Sequence, residues 1–300
     1  MSAGLRVVQP DLRQRIMDFV KRASTELTTH HEANLSDIAR ILPRGTTVYV
    51  AHTPSSTLEK VVRISVKLQS LGLQAVPHFV ARRLPGANTL RAELSAVGAA
   101  GIRRVLLVAG DGDTSAGPYS NCQQILDSGL LESAGIREVG VAGHPEGLAR
   151  VASADLWQAL RNKQEFARRT GITVYIVTQF SFDAPLLCEW VRALRTQHIK
   201  LPVHAGICGP ISTGMLVKFA MMCGVRALTS SATRNMRLLR QVGAGLATPE
   251  DMVVALVKGI AASNLTQVVQ PHFFTFDNPV ECARWVRAVA AGEFELATVS

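Results

Sequence analysis

A short run of β-branched and apolar residues recurs eight times along the chain, and a segment with helical periodicity follows most of these runs. Apolar strands that alternate with helices predict a parallel sheet whose outer face is covered. Eight such units favour a closed (β/α)8 TIM barrel over an open doubly wound sheet, which needs no particular number of strands. The predicted strands are 23–29, 46–52, 74–80, 104–110, 138–144, 174–180, 202–208 and 268–276.

The segments between these strands repeat apolar residues at helical spacing. Ser56 or Thr57 before Glu59 is typical of a helix start, and so is Thr248 as a capping hydroxyl with Pro249 in the first turn. We expect an extra N-terminal helix over 9–22, a short one over 234–239, and a single catalytic domain spanning 1–300. The helices predicted between strands are 55–71, 89–100, 146–170, 184–197, 213–223 and 249–263.

Charge and cysteine content limit the possible partners. The 300-residue chain has a net charge of +9, but its basic residues are dispersed, which indicates solvated helix faces and no nucleic-acid partner. Its five cysteines include no C-x-x-C pair, so neither a disulfide framework nor a zinc site is predicted. No apolar stretch reaches the ~18 residues of a membrane span, and the first 20 residues lack a signal-peptide core. We therefore expect a cytoplasmic protein without a membrane partner.

In a barrel of this type, chemistry is carried at the C-terminal ends of the strands and in the loops that follow. Glu26 lies within the first strand, where burial would raise its pKa toward the range of a general acid. Such an acid would suit protonation of a substrate nitrogen, whereas a Glu26 that faced solvent would not. The candidates on this rim or on the helix after the seventh strand are Glu26, His52, His78, Asp111, His144, Gln179 and Phe219.

The three histidines that end predicted strands raise the alternative of a metal-dependent barrel hydrolase. Such enzymes usually begin with an H-x-H pair, and the nearest match is His30-His31, whose adjacent side chains would point to opposite faces of a strand. The sequence therefore predicts no metal site.

Gly110 and Gly112 flank Asp111, so the backbone there can approach a planar or phosphorylated ligand closely. Gln179 can both donate and accept hydrogen bonds, as reading a pterin edge requires.

Five motifs in the same order resemble the methylenetetrahydrofolate reductase family. The most specific is Thr178-Gln179-Phe180-Ser181-Phe182-Asp183, which is similar to the family pattern T-Q-F-x-[FY]-D. The order and spacing of the motifs on successive strands carry the resemblance, because no single motif is decisive. The others are Pro77-His78, Gly110-Asp111, the segment 142–147 (AGHPEG) and the segment 272–275 (HFFT).

The resemblance implies a barrel that holds FAD at its C-terminal mouth, takes electrons from NADH or NADPH, and reduces 5,10-methylenetetrahydrofolate to the 5-methyl form. It implies that Glu26 is the general acid, Asp111 the carboxylate near flavin and pterin, and Gln179 and Phe219 substrate-binding residues. It also implies folate and a nicotinamide dinucleotide as partners, and a homo-oligomer. The residues that it implies contact the cofactor are His52, His78, Gly110, Asp111, His144 and Lys163.

Several positions depart from the family pattern. Thr25-Glu26-Leu27-Thr28 stands for the family's F-E-F-F-P-P, so the assignment of Glu26 depends on its place in the first strand. The replacements bear mainly on the flavin contacts. They leave open that the chain is a divergent family member, which acts on another folate-linked one-carbon substrate or takes hydride directly from the nicotinamide. A non-enzymatic basic binding protein also remains an alternative. The replaced positions are Ala109 for Arg, His144 for Tyr, Leu148 for His, Met215 for Gln and Phe274 for Tyr.

Overall fold

The computed structural model describes residues 10–112, 114–212, 246–247 and 249–296. Eight parallel strands close into a barrel in the order β1-β10-β7-β6-β5-β4-β3-β2, and a two-stranded antiparallel sheet, β8-β9, lies outside it. The strands are β1 Ser24–Thr28, β2 Thr47–Ala51, β3 Gln74–Val80, β4 Arg104–Val108, β5 Glu138–Gly143, β6 Thr173–Thr178, β7 Val203–Cys208, β8 Ile211–Ser212, β9 Leu246–Ala247 and β10 Val268–Phe274.

Helices cover the outer face of the barrel, and an N-terminal helix precedes the first strand, as the sequence predicts. Short 3₁₀ segments follow β1 (Thr29–Asn34) and β3 (Ala81–Arg83). The α-helices described are α1 Pro10–Val20, α2 Leu35–Ile41, α3 Leu58–Ser70, α4 Ala87–Ala99, α5 Cys122–Leu126, α6 Leu130–Ser133, α7 Ser153–Thr170, α8 Ala184–Thr196, α9 Glu250–Ala262 and α10 Pro279–Ala291. Among the described residues, no helix is long and apolar enough to cross a membrane.

The side chains of each strand alternate between two packed regions. In β2, Val48 and Val50 belong to the large core between strands and helices, whereas Tyr49 belongs to a separate cluster inside the barrel. That inner cluster also contains Val76, Leu106, Tyr175 and Val177. The phenolic oxygens of Tyr49 and Tyr175 lie 2.9 Å apart within it, so the middle of the barrel is a packed layer.

A charged group closes the N-terminal end of the barrel. Arg104 begins β4 and donates from Nε and Nη2 to Oε2 of Glu138, which begins β5, at 2.9 and 2.5 Å. Its Nη1 donates to the Thr47 hydroxyl at 3.2 Å, and the guanidinium lies over the Tyr175 ring. These contacts tie the N-terminal ends of three strands together beside the aromatic layer.

The eight predicted barrel strands are confirmed to within two residues at each end, but some helix predictions are wrong. The helix predicted over 146–170 begins only at Ser153, because Gly147 and Arg150 adopt positive φ. Pro249 is the N-cap of α9 and not its first turn. Four helices were not predicted from the sequence, and the segments 213–223 and 234–239 lie outside the described residues. The missed helices are α2, α5, α6 and α10.

Candidate active site at the barrel mouth

Glu26 lies inside the mouth of the barrel rather than on its outer surface. Its side chain is 13% exposed, and its carboxylate lies 3.7 Å from Nε2 of His272 on the neighbouring strand β10. The other nitrogen of that imidazole, Nδ1, lies 3.0 Å from the Ser24 hydroxyl. The Thr275 hydroxyl donates to the backbone oxygen of Glu26 at 2.7 Å. The Glu26 backbone is therefore fixed where β1 meets the end of β10, and its carboxylate lies beside the His272 imidazole.

Two further histidines stand at the same end of the barrel with one ring nitrogen each unsatisfied. His52 follows β2 and His78 lies in β3, and both side chains are buried. His52 Nδ1 and His78 Nε2 have no hydrogen-bond partner among the described residues. Burial lowers the pKa of His52 to about 4, with the Arg83 charge adding to the effect, and lowers that of His78 to about 3. Both rings are therefore neutral near pH 7, and each can donate or accept a hydrogen bond toward a ligand.

Two arginines of the 3₁₀ segment after β3 lie beside the Gly110-Asp111 turn after β4. Arg82 Nη1 donates to Gly110 O at 2.6 Å, and Arg83 Nη1 donates to His52 O. Gly110 has φ +94°, and an added Cβ would lie 2.5 Å from Val80 Cγ1, so only glycine fits. The Asp111 side chain is fully exposed, with Arg83 Nη2 4.0 Å away. The turn therefore presents a carboxylate and nearby guanidinium groups to the rim.

Gln179 follows β6 at the rim and is half-buried. Its backbone N–H donates to Gly143 O at 2.8 Å, and its side-chain oxygen accepts from the Phe180 N–H at 3.1 Å. The next turn is held by Ser181, whose hydroxyl donates to Glu146 at 3.2 Å. Asp183 then caps α8 by accepting from the Leu186 N–H at 2.9 Å. The amide of Gln179 is thus fixed between two ordered strand ends.

His144 and Lys163 lie apart from Glu26, on the walls of an open cavity between the ends of β4 and β5 and the helices α7 and α8. Burial lowers the pKa of Lys163, and burial together with the Lys163 charge lowers that of His144. The structure therefore divides the predicted site residues into a mouth group, with Glu26, His52, His78, Asp111 and Gln179, and this cavity. Phe219 lies outside the described residues.

His272 lies within one of the family-like motifs but had no predicted role, and Ser24 was not predicted as the partner of its ring. The two-residue spacing of Gln270, His272 and Phe274 could have indicated that these side chains lie together, since such residues share one face of a strand.

The metal-dependent alternative relied on His52, His78 and His144, and these three side chains do not form one group. In the part of the chain that the structure describes, no three His, Cys, Asp or Glu side chains form a group that could hold a metal ion.

Comparison with known proteins identifies a family. The family model described as methylenetetrahydrofolate reductase matches residues 25–278. Among solved structures, the chain is similar to dihydropteroate synthase from Thermus thermophilus, with 13% identity over 91% of this chain and 94% of that chain and a TM-score of 0.47. It is also similar to 3-dehydroquinate dehydratase from Aquifex aeolicus, with 11% identity over 61% of this chain and 77% of that chain and a TM-score of 0.38. Likenesses at this level carry no information on function.

Proposed function

The chain belongs to the methylenetetrahydrofolate reductase family, and from that membership we propose that it reduces 5,10-methylenetetrahydrofolate to 5-methyltetrahydrofolate with electrons from NADH or NADPH. The family match makes it an oxidoreductase-type enzyme that acts on folate. The observation that carries the finer proposal is the position of Glu26. Its carboxylate is held inside the barrel mouth, beside His272 and on the same rim as Gln179.

FAD is the cofactor that the family implies, and the residues present fit such a group. Two buried imidazole nitrogens, of His52 and His78, lack partners among the described residues, and Lys163 offers a positive charge at the nearby cavity. Ala109 stands where the family pattern has an arginine, but the guanidinium groups of Arg82 and Arg83, in the 3₁₀ segment after β3, lie at the same turn. We propose that FAD is held by these residues together with Gly110, Asp111 and His144.

When bound, FAD would supply a two-electron carrier between the nicotinamide and the folate. In this proposal, Glu26 donates a proton to the folate nitrogen that leaves as the five-membered ring opens, and the methylene carbon receives the hydride. The pairing of β1 with β10 keeps the carboxylate beside His272, so little reorganisation is needed at that step. His272 positions the carboxylate through its Nε2 and is itself held by Ser24.

The other rim residues orient the substrate. The Gln179 amide can match both a donor and an acceptor on the pterin edge, and its backbone is held by Gly143. Asp111 is fully exposed and would accept hydrogen bonds from the pterin once the ligand covers it. Phe219 is proposed to pack on the substrate.

The test is spectroscopic and kinetic. We expect the purified protein to show flavin absorbance after addition of FAD, and to oxidise NADH or NADPH only when methylenetetrahydrofolate is present. A protein that takes up FAD but shows no folate-dependent oxidation with either nicotinamide would overturn the proposed reaction. Folate-dependent turnover without flavin absorbance would favour the divergent reading, in which hydride passes directly from the nicotinamide.

We further propose that the enzyme works in a reducing compartment, the cytoplasm, as a homo-oligomer. The described cysteines, Cys122, Cys188, Cys208 and Cys282, are all free and buried, which suits reducing conditions. Size-exclusion chromatography with light scattering tests the oligomeric state, and a monomer at micromolar concentration would contradict it.

A further inference from the structure

Gln270 lies at one end of a line of polar side chains that runs inside the barrel to the carboxylate of Glu26. It stands on β10, two residues before His272, and is half-buried. Its Nε2 donates to the Ser24 hydroxyl oxygen at 3.4 Å, and that oxygen lies 3.0 Å from Nδ1 of His272. Nε2 of the same ring lies 3.7 Å from Oε2 of Glu26. Residues two apart share one face of a strand, so β1 and β10 each contribute two side chains to this polar line.

The amide nitrogen of Gln270 fixes the direction of the hydrogen bonds, because an amide NH₂ group only donates. The Ser24 oxygen accepts from that amide, and its single hydrogen is then available for Nδ1 of His272. A neutral imidazole that accepts at Nδ1 carries its own proton on Nε2. That proton faces the Glu26 carboxylate.

Ring contacts keep the imidazole in this orientation. His272 is 1% exposed, and its ring centroid lies 4.5 Å from that of Tyr49 and 4.8 Å from that of Phe274, both in edge-to-face geometry. A flip of the ring would exchange the positions of the nitrogen and carbon atoms and break the contact with Ser24. The orientation is therefore fixed by packing as well as by the hydrogen bond.

The other titratable groups near this ring are uncharged at neutral pH. Burial raises the pKa of Tyr49 well above its usual range, and burial lowers the pKa of His78 and of His204 to about 3. A charge on any of them would compete with Ser24 in deciding which nitrogen of His272 is protonated. With these groups neutral, the hydrogen bond from Ser24 decides it.

We propose that Gln270 is a positioning residue, which sets the tautomer of His272 through Ser24 and thereby places the acidic proton of Glu26 on Oε1. An N–H group opposite Oε2 leaves no place for a second proton between the two atoms. A protonated Glu26 therefore carries its proton on Oε1, from which the proton can pass to the substrate. In the reverse tautomer, the bare Nε2 would accept this proton and hold it away from the substrate.

The same N–H group also acts after the proton has left, because it stabilises the carboxylate that remains on Glu26. The separation of 3.7 Å between Nε2 and Oε2 is long for a hydrogen bond, and such catalytic contacts commonly shorten when the substrate binds. The inference rests on the proposed function for the acid role of Glu26. The tautomer of His272 does not depend on that role and can be measured separately.

Gln270→Glu tests the direction of the polar line, because the introduced carboxylate only accepts hydrogen bonds. Ser24 would then donate to that carboxylate and accept from an Nδ1–H group of His272, which reverses the tautomer. We expect kcat for folate-dependent NAD(P)H oxidation to fall about tenfold or more, with KM for the folate within about twofold. Gln74→Glu is the matched control. It adds the same charge at the N-terminal end of β3, keeps the hydrogen bond accepted from Thr47, and should leave kcat unchanged.

Nitrogen-15 NMR of the full-length protein, labelled at histidine, measures the tautomer directly, because protonated and bare ring nitrogens differ widely in chemical shift. His272→Gln removes one set of signals and so assigns this ring among the eight histidines of the chain. We expect the proton on Nε2 in the parent and in Gln74→Glu, and on Nδ1 in Gln270→Glu. The measurement needs no substrate, so it holds whether or not the protein reduces folate.

Ser24→Ala provides a second variant, which breaks the polar line without adding a charge. It should give a mixture of both tautomers and a loss of kcat smaller than that of Gln270→Glu. Circular dichroism of each variant shows that a lower rate does not come from unfolding. If Gln270→Glu does not fold, Ser24→Ala decides the question by the same two measurements.

The outcomes separate this inference from the proposed function. A proton on Nδ1 in the parent overturns the inference, and so does an unchanged tautomer in both Gln270→Glu and Ser24→Ala. A reversed tautomer with unchanged kcat rejects the positioning role. A protein with the expected tautomers but no folate-dependent oxidation would reject the proposed function and would still support the control of the His272 tautomer by Gln270.

Discussion

Nε2 of His272 lies 3.7 Å from the carboxylate of Glu26, although the two residues stand near opposite ends of the chain. Closure of the barrel makes β1 and β10 neighbours, with Ser24 paired to His272 in register. The same pairing places the Ser24 hydroxyl on the far side of the imidazole. The proposed acid, its positioning ring and the hydroxyl that holds that ring thus form one connected unit.

Glu26→Gln is predicted to lower the rate of folate-dependent NAD(P)H oxidation by about 10²-fold or more, because an amide of the same shape cannot donate the proton. Ligand binding should be nearly unchanged. Steady-state kinetics at pH 7 together with folate and FAD titrations measure both effects. Glu132→Gln, which alters an exposed glutamate on α6, is the control. An unchanged rate in Glu26→Gln would remove this residue from the acid role.

Gly110→Ala is predicted to destabilise the fold by about 2–4 kcal/mol, because the residue has φ +94° and its Cβ would meet Val80 Cγ1 at 2.5 Å. Gly112→Ala is the matched variant, since Gly112 has φ +87° but nothing within 4 Å of an added Cβ. It should cost only about 1 kcal/mol from backbone strain. Urea denaturation of both variants measures the difference, and equal losses would show that the overlap with Val80 is relieved by movement.

Arg104→Lys is predicted to lower the free energy of unfolding by about 1–2 kcal/mol, because lysine cannot reproduce the contacts to Glu138 and Thr47. Turnover should stay within about twofold, since this end of the barrel serves stability. Arg168→Lys changes an exposed ion pair with Glu165 and should be nearly neutral. A large loss of turnover in folded Arg104→Lys would contradict the assignment of stability to the N-terminal end of the barrel and of chemistry to its C-terminal end.

Acid is predicted to destabilise the protein through its buried histidines. Burial lowers the pKa of His78 and of His204 to about 3 and that of His52 to about 4, whereas an unfolded histidine titrates near 6.5. Between those values the unfolded chain binds more protons than the folded one, so stability falls as the pH drops from about 6.5 toward 4. Each such histidine contributes up to about 1.4 kcal/mol per pH unit.

His204→Phe tests this origin, since a phenyl ring can keep the stacking on Tyr175 and the Tyr49–Tyr175 contact is left in place. Chemical denaturation between pH 7 and 4 should show a shallower loss of stability in this variant than in the parent. His30→Gln, which alters an exposed histidine, is the control. A slope as steep in His204→Phe as in the parent would assign the acid sensitivity to other groups.

Local sequence patterns predicted the strands well, because each buried strand combines a continuous apolar run with β-branched residues. They were less successful at helix boundaries. The segment 146–152 reads as the start of a helix, yet Gly147 and Arg150 adopt positive φ and a Leu148–Val151 bridge forms a turn there. Backbone conformation at such points depends on contacts with the barrel rim, which local periodicity does not encode.

The amino-acid sequence by itself determined the eight-unit alternation, and with it the barrel and the set of polar residues on its C-terminal rim. Only the tertiary structure decided which of those residues meet. Glu26 and His272 become neighbours because the first and last strands pair, and Lys163 becomes half-buried because one face of α7 turns toward β5. Strand and helix periodicity are local properties of a chain, whereas barrel closure and side-chain burial arise from contacts between distant segments.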